Sequence, residues 1–221
     1  METLPKRSPS KPENDWRTSL MKKMSLLPLV AIMTFATPFH SALADVQALA
    51  DKCDACHGEG GNSEDEKVPN IAGMSTVFLG DTLSAYASGD RKGVKYKPKD
   101  GEESDMNEIA EKLSEEEISA IAEYYAGKKF AMHVQEVDAE LADKGKKKFD
   151  KECDKCHSEG GTVADDDASL LLGQWKHYLK EQFSMFGDGS RTMPKKMQKK
   201  FDKLDDDDKA SILEYLAGGK R

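Results

Sequence analysis

The amino-acid sequence predicts an all-α protein assembled from two tandem copies of one small domain. Three observations carry that expectation. A nine-residue stretch beginning at Cys53, CDACHGEGG, returns one hundred residues later as CDKCHSEGG from Cys153. Apolar side chains elsewhere recur at helical spacing, and no alternating apolar and polar run of useful length suggests a strand. Self-similarity at a fixed offset marks a duplicated unit, so the repeat divides the chain.

Residues 1–44 read as an export leader. Lys22 and Lys23 form a basic start, Leu26 to Phe39 is mostly apolar, and Ala42-Leu43-Ala44 places small residues at a cleavage point before Asp45. The apolar run is shorter than the roughly 18 residues of a membrane span, so no span is expected in the mature chain. The polar stretch ahead of Met21 is foreign to such leaders, and a start of synthesis at Met21 would account for it. Without the leader, acidic side chains outnumber basic ones by eleven. Such a surface repels nucleic acid and anionic lipid and favours partners with a basic docking face.

The first copy is expected over residues 45–130, a linker over 131–138 and the second copy over 139–221. Cys53, Cys56, His57, Glu59, Gly60 and Gly61 fall on Cys153, Cys156, His157, Glu159, Gly160 and Gly161. The register continues through Ile71, Gly73 and Leu79 on Leu171, Gly173 and Leu179, and through Leu83, Tyr86, Gly89 and Arg91 on Phe183, Phe186, Gly189 and Arg191. Beyond Arg91 the offset falls to ninety-one, so the first copy carries nine extra residues within GVKYKPKDGEESD. Met106, Leu113, Ile121, Tyr124 and Gly127 then align on Met197, Leu204, Ile212, Tyr215 and Gly218.

The last helix of each copy has its own start signal. Leu113, Ile118, Ile121, Ala122 and Tyr125 follow helical spacing around Ser114 and three glutamates, which read as a capping box with acids in the first turn, and Gly127 ends the run. Leu204, Ile212, Tyr215 and Leu216 repeat this around Asp205 to Asp208, with Gly218 at the end. The aspartate run reads as a helix start and not as a calcium loop, which needs a central Gly and a closing Glu.

All four cysteines of the chain lie in the two Cys-x-x-Cys-His pentads. Two disulfides are one reading for an exported chain; a zinc site and a thioredoxin-like redox pair are others. A redox pair belongs in a βαβ setting and has no need of the histidine, and zinc would require both pentads to converge on one metal. Two covalent c-type haems account for everything that repeats. Thiols three positions apart form thioethers to one porphyrin, and the following histidine becomes the proximal iron ligand. Covalent haem attachment takes place outside the cytoplasm, in agreement with the leader and with a periplasmic location. Each copy has well under 100 residues, and a buried porphyrin supplies core that so small a domain lacks.

The second axial ligand separates an electron carrier from a gas binder or an enzyme. Met106 and Met197 occupy equivalent positions, each seven residues before the leucine that opens the last helix. A thioether stabilises ferrous iron and raises the potential, which suits a carrier. Methionines are also common core fillers, and Met193, followed by Pro194, is an alternative ligand in the second copy. Met74 and Met185 have no repeat equivalents and read as packing residues. His133 and His177 also lack equivalents and read as structural or surface residues.

These residues resemble class I cytochromes c, and more closely the dihaem cytochromes of the c4 type, over essentially all of the mature chain. The resemblance implies two tandem cytochrome c domains, each wrapped around one covalent haem held by Cys53 and Cys56 or Cys153 and Cys156, with His57 and Met106 or His157 and Met197 on the iron. Gly145, Phe149 and Cys153 are similar to the family's opening helix, whose glycine and aromatic pack on an aromatic of the last helix, here Tyr215; the first copy has Asp45 and Leu49 there. Val68-Pro69-Asn70-Ile71 with Gly73 is similar to a segment whose proline carbonyl accepts the histidine Nδ1 proton. Ser169 replaces that proline in the second copy, so another carbonyl is expected to serve His157. Trp175 and Tyr178 as propionate donors, and Arg91 and Arg191 as propionate counterions, stand beside ordinary packing and surface charge.

Within the dihaem group, stretches such as Leu172 to Leu179 and Arg191 to Met197 look most like the cytochrome subunit of flavocytochrome c sulfide dehydrogenase. That likeness implies a periplasmic electron-transfer subunit without catalysis of its own, accepting electrons from an FAD-bearing flavoprotein subunit and passing them to a downstream cytochrome or oxidase. A free c4-type carrier serving a terminal oxidase is the alternative. A haem enzyme with an open iron site is a third reading, from a different class.

Overall fold

The computed structural model describes the backbone of residues 39–219 and the side chains of residues 45–219. The leader expected over residues 1–44, its cleavage after Ala44 and the start at Met21 lie outside the described residues, apart from the backbone of Phe39 to Ala44, which is helical.

The first copy contains α1 (Phe39–His57), α2 (Thr76–Ala87), α3 (Met106–Ala110) and α4 (Glu115–Ala126); the second contains α5 (Ala139–Glu152), α6 (Lys176–Asp188), α7 (Lys195–Phe201) and α8 (Asp206–Ala217). The chain is all-α among the described residues, with one isolated antiparallel bridge between Tyr96 and Ser104. Short-range chemistry sets several helix starts. Ser114 Oγ accepts from the Glu117 amide while the Glu117 carboxylate accepts from the Ser114 amide, a reciprocal capping box. The Asp205 carboxylate accepts from the Asp208 amide at 2.7 Å, and Asp206, Asp207 and Asp208 fill the first turn of α8. Asp105 caps α3 through the amides of Asn107 and Glu108.

Each copy packs its first helix on its last. In the second copy α5 meets α8 so closely at Gly145 that a Cβ there would lie 1.9 Å from the Ser211 carbonyl oxygen. One turn on, Phe149 packs on Tyr215 with ring centroids 5.5 Å apart. In the first copy Ala50 is fully buried where α1 crosses α4, and Tyr125 donates its hydroxyl to the Ala50 carbonyl at 3.1 Å and to Asp54 at 2.7 Å. Leu49 packs against this core in place of the aromatic, and Tyr125 adds an anchor to the α1 backbone. The nine extra residues of the first copy form a short loop closed by the Tyr96–Ser104 bridge and tied down by the Tyr96 hydroxyl on Asp65 at 2.8 Å.

The two copies share an interface built largely from buried polar groups. Gln174 and Asn70 are almost completely buried and exchange hydrogen bonds: the Asn70 amide donates to Gln174 Oε1 at 3.0 Å, and Gln174 Nε2 donates to the Asn70 carbonyl at 2.9 Å. Trp175 Nε1 donates to the Ser63 carbonyl at 3.0 Å, and the Tyr178 amide to the Glu66 carbonyl at 3.1 Å. Leu170, from the second copy, sits in the apolar core of the first. The connecting segment is stitched to both sides. The Ala131 amide reaches Asn62, the His133 amide reaches the Gly173 carbonyl, and Gln135 bridges the Gln174 carbonyl and the Lys176 amide.

Candidate haem sites

In the first copy the end of α1 carries Cys53, Cys56 and His57. His57 is 8% exposed, and its Nδ1 lies 2.9 Å from the Pro69 carbonyl oxygen. A carbonyl only accepts, so Nδ1 carries the proton and Nε2 keeps a free lone pair. Burial holds the ring's pKa below the usual histidine value, which keeps it in the neutral, metal-binding form. The chain then reverses at Gly58, whose φ of 75° and whose approach to the Asn62 carbonyl, 2.2 Å from a Cβ position, both demand glycine. Asp54 secures the turn by accepting from the Gly60 amide at 3.0 Å.

The second copy presents the same groups on different backbone. Helix α5 stops at Glu152, and Cys153 to His157 form tight turns in which the amides of Cys156 and His157 both donate to the Cys153 carbonyl. The following turn is held by Asp166, which accepts from the Ser158 amide and hydroxyl. Burial again lowers the pKa of His157. Its Nδ1 is buried and completes no hydrogen bond of normal geometry, yet the carbonyl facing it, and raising its basicity, is that of Ser169. Ser169 thus stands where Pro69 stands in the first copy, but the bond that fixes His57 is not completed at His157.

All four cysteines are free thiols. Burial raises the pKa of Cys53, Cys56 and Cys153, the last to about 11, so these remain protonated near neutrality. Among the described residues no group of three or more His, Cys, Asp or Glu side chains is placed to hold a metal ion. Two neutral imidazoles, each beside a pair of free thiols and an apolar cluster, fit covalent haem and do not form a zinc site.

Met106 is the first residue of α3 and Met197 lies within α7; both are half-buried. Met193 packs against the apolar core of the second copy. Met74 is 4% exposed in the core of the first copy, and the Met185 sulfur accepts from Gln182. His133 is structural, stacked on Trp175 with ring centres 3.7 Å apart and bonded to Asn70. His177 is exposed, 3.6 Å from Glu66.

The two repeat-related arginines meet at the interface of the copies. Arg91 donates to the Tyr178 hydroxyl and to Gln182 Oε1, both at 3.2 Å, and Arg191 donates to the same Gln182 oxygen at 2.5 Å. Arg91 also lies over Tyr86, and Arg191 over Phe186. Burial lowers the pKa of Arg191 and raises that of Tyr86 to about 12, so the phenol offers no anion. Among the described residues neither guanidinium has a carboxylate partner, and two like charges together, Arg91 buried and Arg191 half-buried, are costly without one. Trp175, grouped with Tyr178 in the sequence, instead spends its indole N–H on Ser63. Gln182 carried no signal in the sequence, because position 82 of the first copy is Thr.

Residues 43–126 match the cytochrome c family model, and residues 140–216 match the model described as cytochrome c oxidase, cbb3-type, subunit III. The chain is 30% identical over 184 residues to cytochrome c4 of Pseudomonas aeruginosa, spanning 78% of this chain and 86% of that protein. The chain belongs to the cytochrome c4 family. Reduced recombinant cytochrome c4 from Pseudomonas stutzeri matches the fold with a TM-score of 0.65 and 27% identity, covering 79% of this chain and 97% of that one. The thiosulfate dehydrogenase electron acceptor of Stutzerimonas stutzeri is 39% identical over 75 residues, 34% of this chain and 32% of that protein. As a cytochrome c4 relative the chain is a dihaem electron-transfer protein, with one covalent c-type haem in each of its two cytochrome c domains, and it is a carrier rather than a catalyst. The narrower resemblance to the sulfide dehydrogenase subunit finds no support in these relatives. Among the described residues no helix is long and apolar enough to cross a membrane.

Proposed function

We propose that the chain is a periplasmic carrier that takes single electrons from an oxidoreductase acting on reduced inorganic sulfur and passes them to a downstream cytochrome or oxidase. In this reading Cys53 and Cys56 hold one haem, with His57 and Met106 as axial ligands. Cys153 and Cys156 hold the other, with His157 and Met197. The domains run over residues 45–130 and 139–221, joined by 131–138, behind a leader cleaved after Ala44. The haem supplies an iron that cycles between ferrous and ferric states at little cost in rearrangement.

The protein's part is to orient and to insulate. The Pro69 carbonyl fixes the His57 ring and increases its basicity at Nε2. Arg91 and Arg191 are the counterions suited to haem propionates, the carboxylates that their buried position calls for. The observation that carries the reading is the buried His57 with Nδ1 committed to a backbone carbonyl beside two free thiols, on a motif that occurs twice. The thiosulfate dehydrogenase acceptor among the relatives supports a sulfur-oxidising donor. The stretches resembling the sulfide dehydrogenase subunit favour an FAD-bearing donor as a second reading.

Exported protein should carry two haems by intact mass and pyridine haemochrome assay, and a Met-to-iron charge-transfer band that loses half its intensity in Met106→Ala or Met197→Ala. Retention of the full band in Met197→Ala and its loss in Met193→Ala would transfer that ligand role to Met193. Haem reduction by a thiosulfate dehydrogenase with thiosulfate, but not by a flavocytochrome with sulfide, is the expected donor pattern. The reverse pattern selects the flavoprotein reading, and failure of both rules out the sulfur donor.

A further inference from the structure

The two copies differ most in charge. Residues 45–130 hold ten basic and nineteen acidic side chains, whereas residues 139–221 hold seventeen of each. The difference is concentrated on the short helix that follows the repeat-related arginine. In the first copy α3 and its flanks carry Glu102, Glu103, Glu108 and Glu111, and the one nearby cation paired to this helix, Lys95, is bound by Asp105 and Glu108. In the second copy the same helix, α7, carries Lys195, Lys196, Lys199 and Lys200, with Lys203 just beyond.

Two of these lysines oppose the helix, whereas Lys199 and Lys200 stand in its last turn, where a cation suits the dipole. Lys195 and Lys196 stand in the first turn of α7, where a cation opposes the helix dipole, and Pro194 provides no side-chain cap; α3 has the favourable arrangement, with Asp105 capping and Glu108 in the first turn. Lys195, Lys196 and Lys199 are exposed and make no hydrogen bond or ion pair among the described residues. Lys200 binds Glu152 at 2.9 Å, Lys203 and Lys151 stand around the same carboxylate, and the charge of Lys200 reaches Cys153. The cluster therefore borders the second haem-attachment motif as well as sharing a helix with Met197. Among the described residues the exposed large hydrophobic side chains are Val77, Val94, Ile109, Met132 and Val134, all away from α7, so its lysines stand without an exposed apolar neighbour on the helix. Sequence features that work against local stability at an exposed surface mark function.

We infer that the lysine face of α7 docks an acidic one-electron redox protein, so that the second haem, and not the first, exchanges electrons with that partner. The inference rests on the haem attachment proposed above. One electron crosses per encounter: whichever iron or partner centre is reduced gives it up, and the oxidised centre takes it. The attraction is local and opposes the acidic charge of the molecule as a whole.

The test is stopped-flow oxidation of the fully reduced holoprotein by two oxidants. Oxidised plastocyanin, an acidic blue-copper protein, takes one electron as Cu(II) becomes Cu(I); tris(phenanthroline)cobalt(III) takes one electron and is cationic. The plastocyanin rate should fall on the order of tenfold between low and high salt, and by a similar factor at low salt in the triple variant K195E/K196E/K199E, while the cobalt rate in that variant does not fall. A plastocyanin rate that rises with salt, or is indifferent to the triple variant, overturns the inference. So does lysine-dependent self-association in sedimentation, or lysine-dependent capture by phosphatidylglycerol vesicles without an effect on plastocyanin. The haem counts of the native protein and the variant are measured first. A native protein without haem overturns the attachment proposed above, whereas charge-indifferent rates in haem-bearing protein overturn this inference alone.

Discussion

Glycine positions separate steric necessity from mere flexibility. At Gly145 an added methyl would meet the Ser211 carbonyl at 1.9 Å, and both partners are main chain in packed helices. At Gly187, exposed in the last turn of α6, a Cβ would meet nothing within 4 Å. Gly145→Ala should therefore destabilise the holoprotein by at least about 3 kcal/mol, the upper part of the range for overpacking a core. Gly187→Ala should stabilise it by about 0.5–1 kcal/mol, since alanine restricts the unfolded chain more. Denaturant unfolding of both variants checks the contrast, and equal effects would contradict the close approach of α5 to α8. The pentads were legible in the sequence because their side chains return at a fixed offset, whereas Gly145, with Asp45 at that offset, was read only from its likeness to the family's opening helix. The unbonded state of His157 Nδ1 was not legible, because the placing of main-chain carbonyls leaves no trace in residue type. Gln182 was hidden for another reason: its work lies at the contact between copies, where duplication predicts nothing.

At the scale of single elements, helix starts were the most readable features. Ser114 with Glu117 and Asp205 with Asp208 act over three residues, so the sequence contains the whole of the interaction. Ser114→Ala removes one half of a reciprocal cap on α4, and a loss of about 1 kcal/mol is expected. A two-state denaturant midpoint with unchanged slope would report it, and Ser114→Asp should recover most of the loss. The loop inserted after Arg91 was read only as nine surplus residues. Its closure depends on Tyr96 meeting Ser104 across a turn and Asp65 from an earlier loop, and pairings of that kind become visible only in three dimensions. The end of α5 at Glu152 was likewise unreadable, since the first copy keeps the equivalent pentad helical to His57.

Over the whole molecule, the duplication announced two domains but not how tightly they are joined. Asn70 and Gln174 satisfy each other inside the interface, so removing either leaves buried polar groups without partners. Gln174→Ala strands the Asn70 amide and carbonyl, each unmet group costing about 1–3 kcal/mol. Calorimetry of the native holoprotein should show one cooperative transition, and Gln174→Ala should lower it and separate it into two. Two transitions already present in the native protein would mean that the copies are energetically independent. The charge difference between the copies belongs to this scale too: composition gave only the net acidity, and its meaning depends on the lysines of α7 sharing a helix with Met197.

The segment from Ala131 to Lys176 Nα's partner Gln135 is bonded first to one half and then to the other, with no free length between. A tether without slack acts as a strut. The distance an electron must cover from one half to the other is then a built-in dimension of the molecule, indifferent to the viscosity of the surrounding fluid.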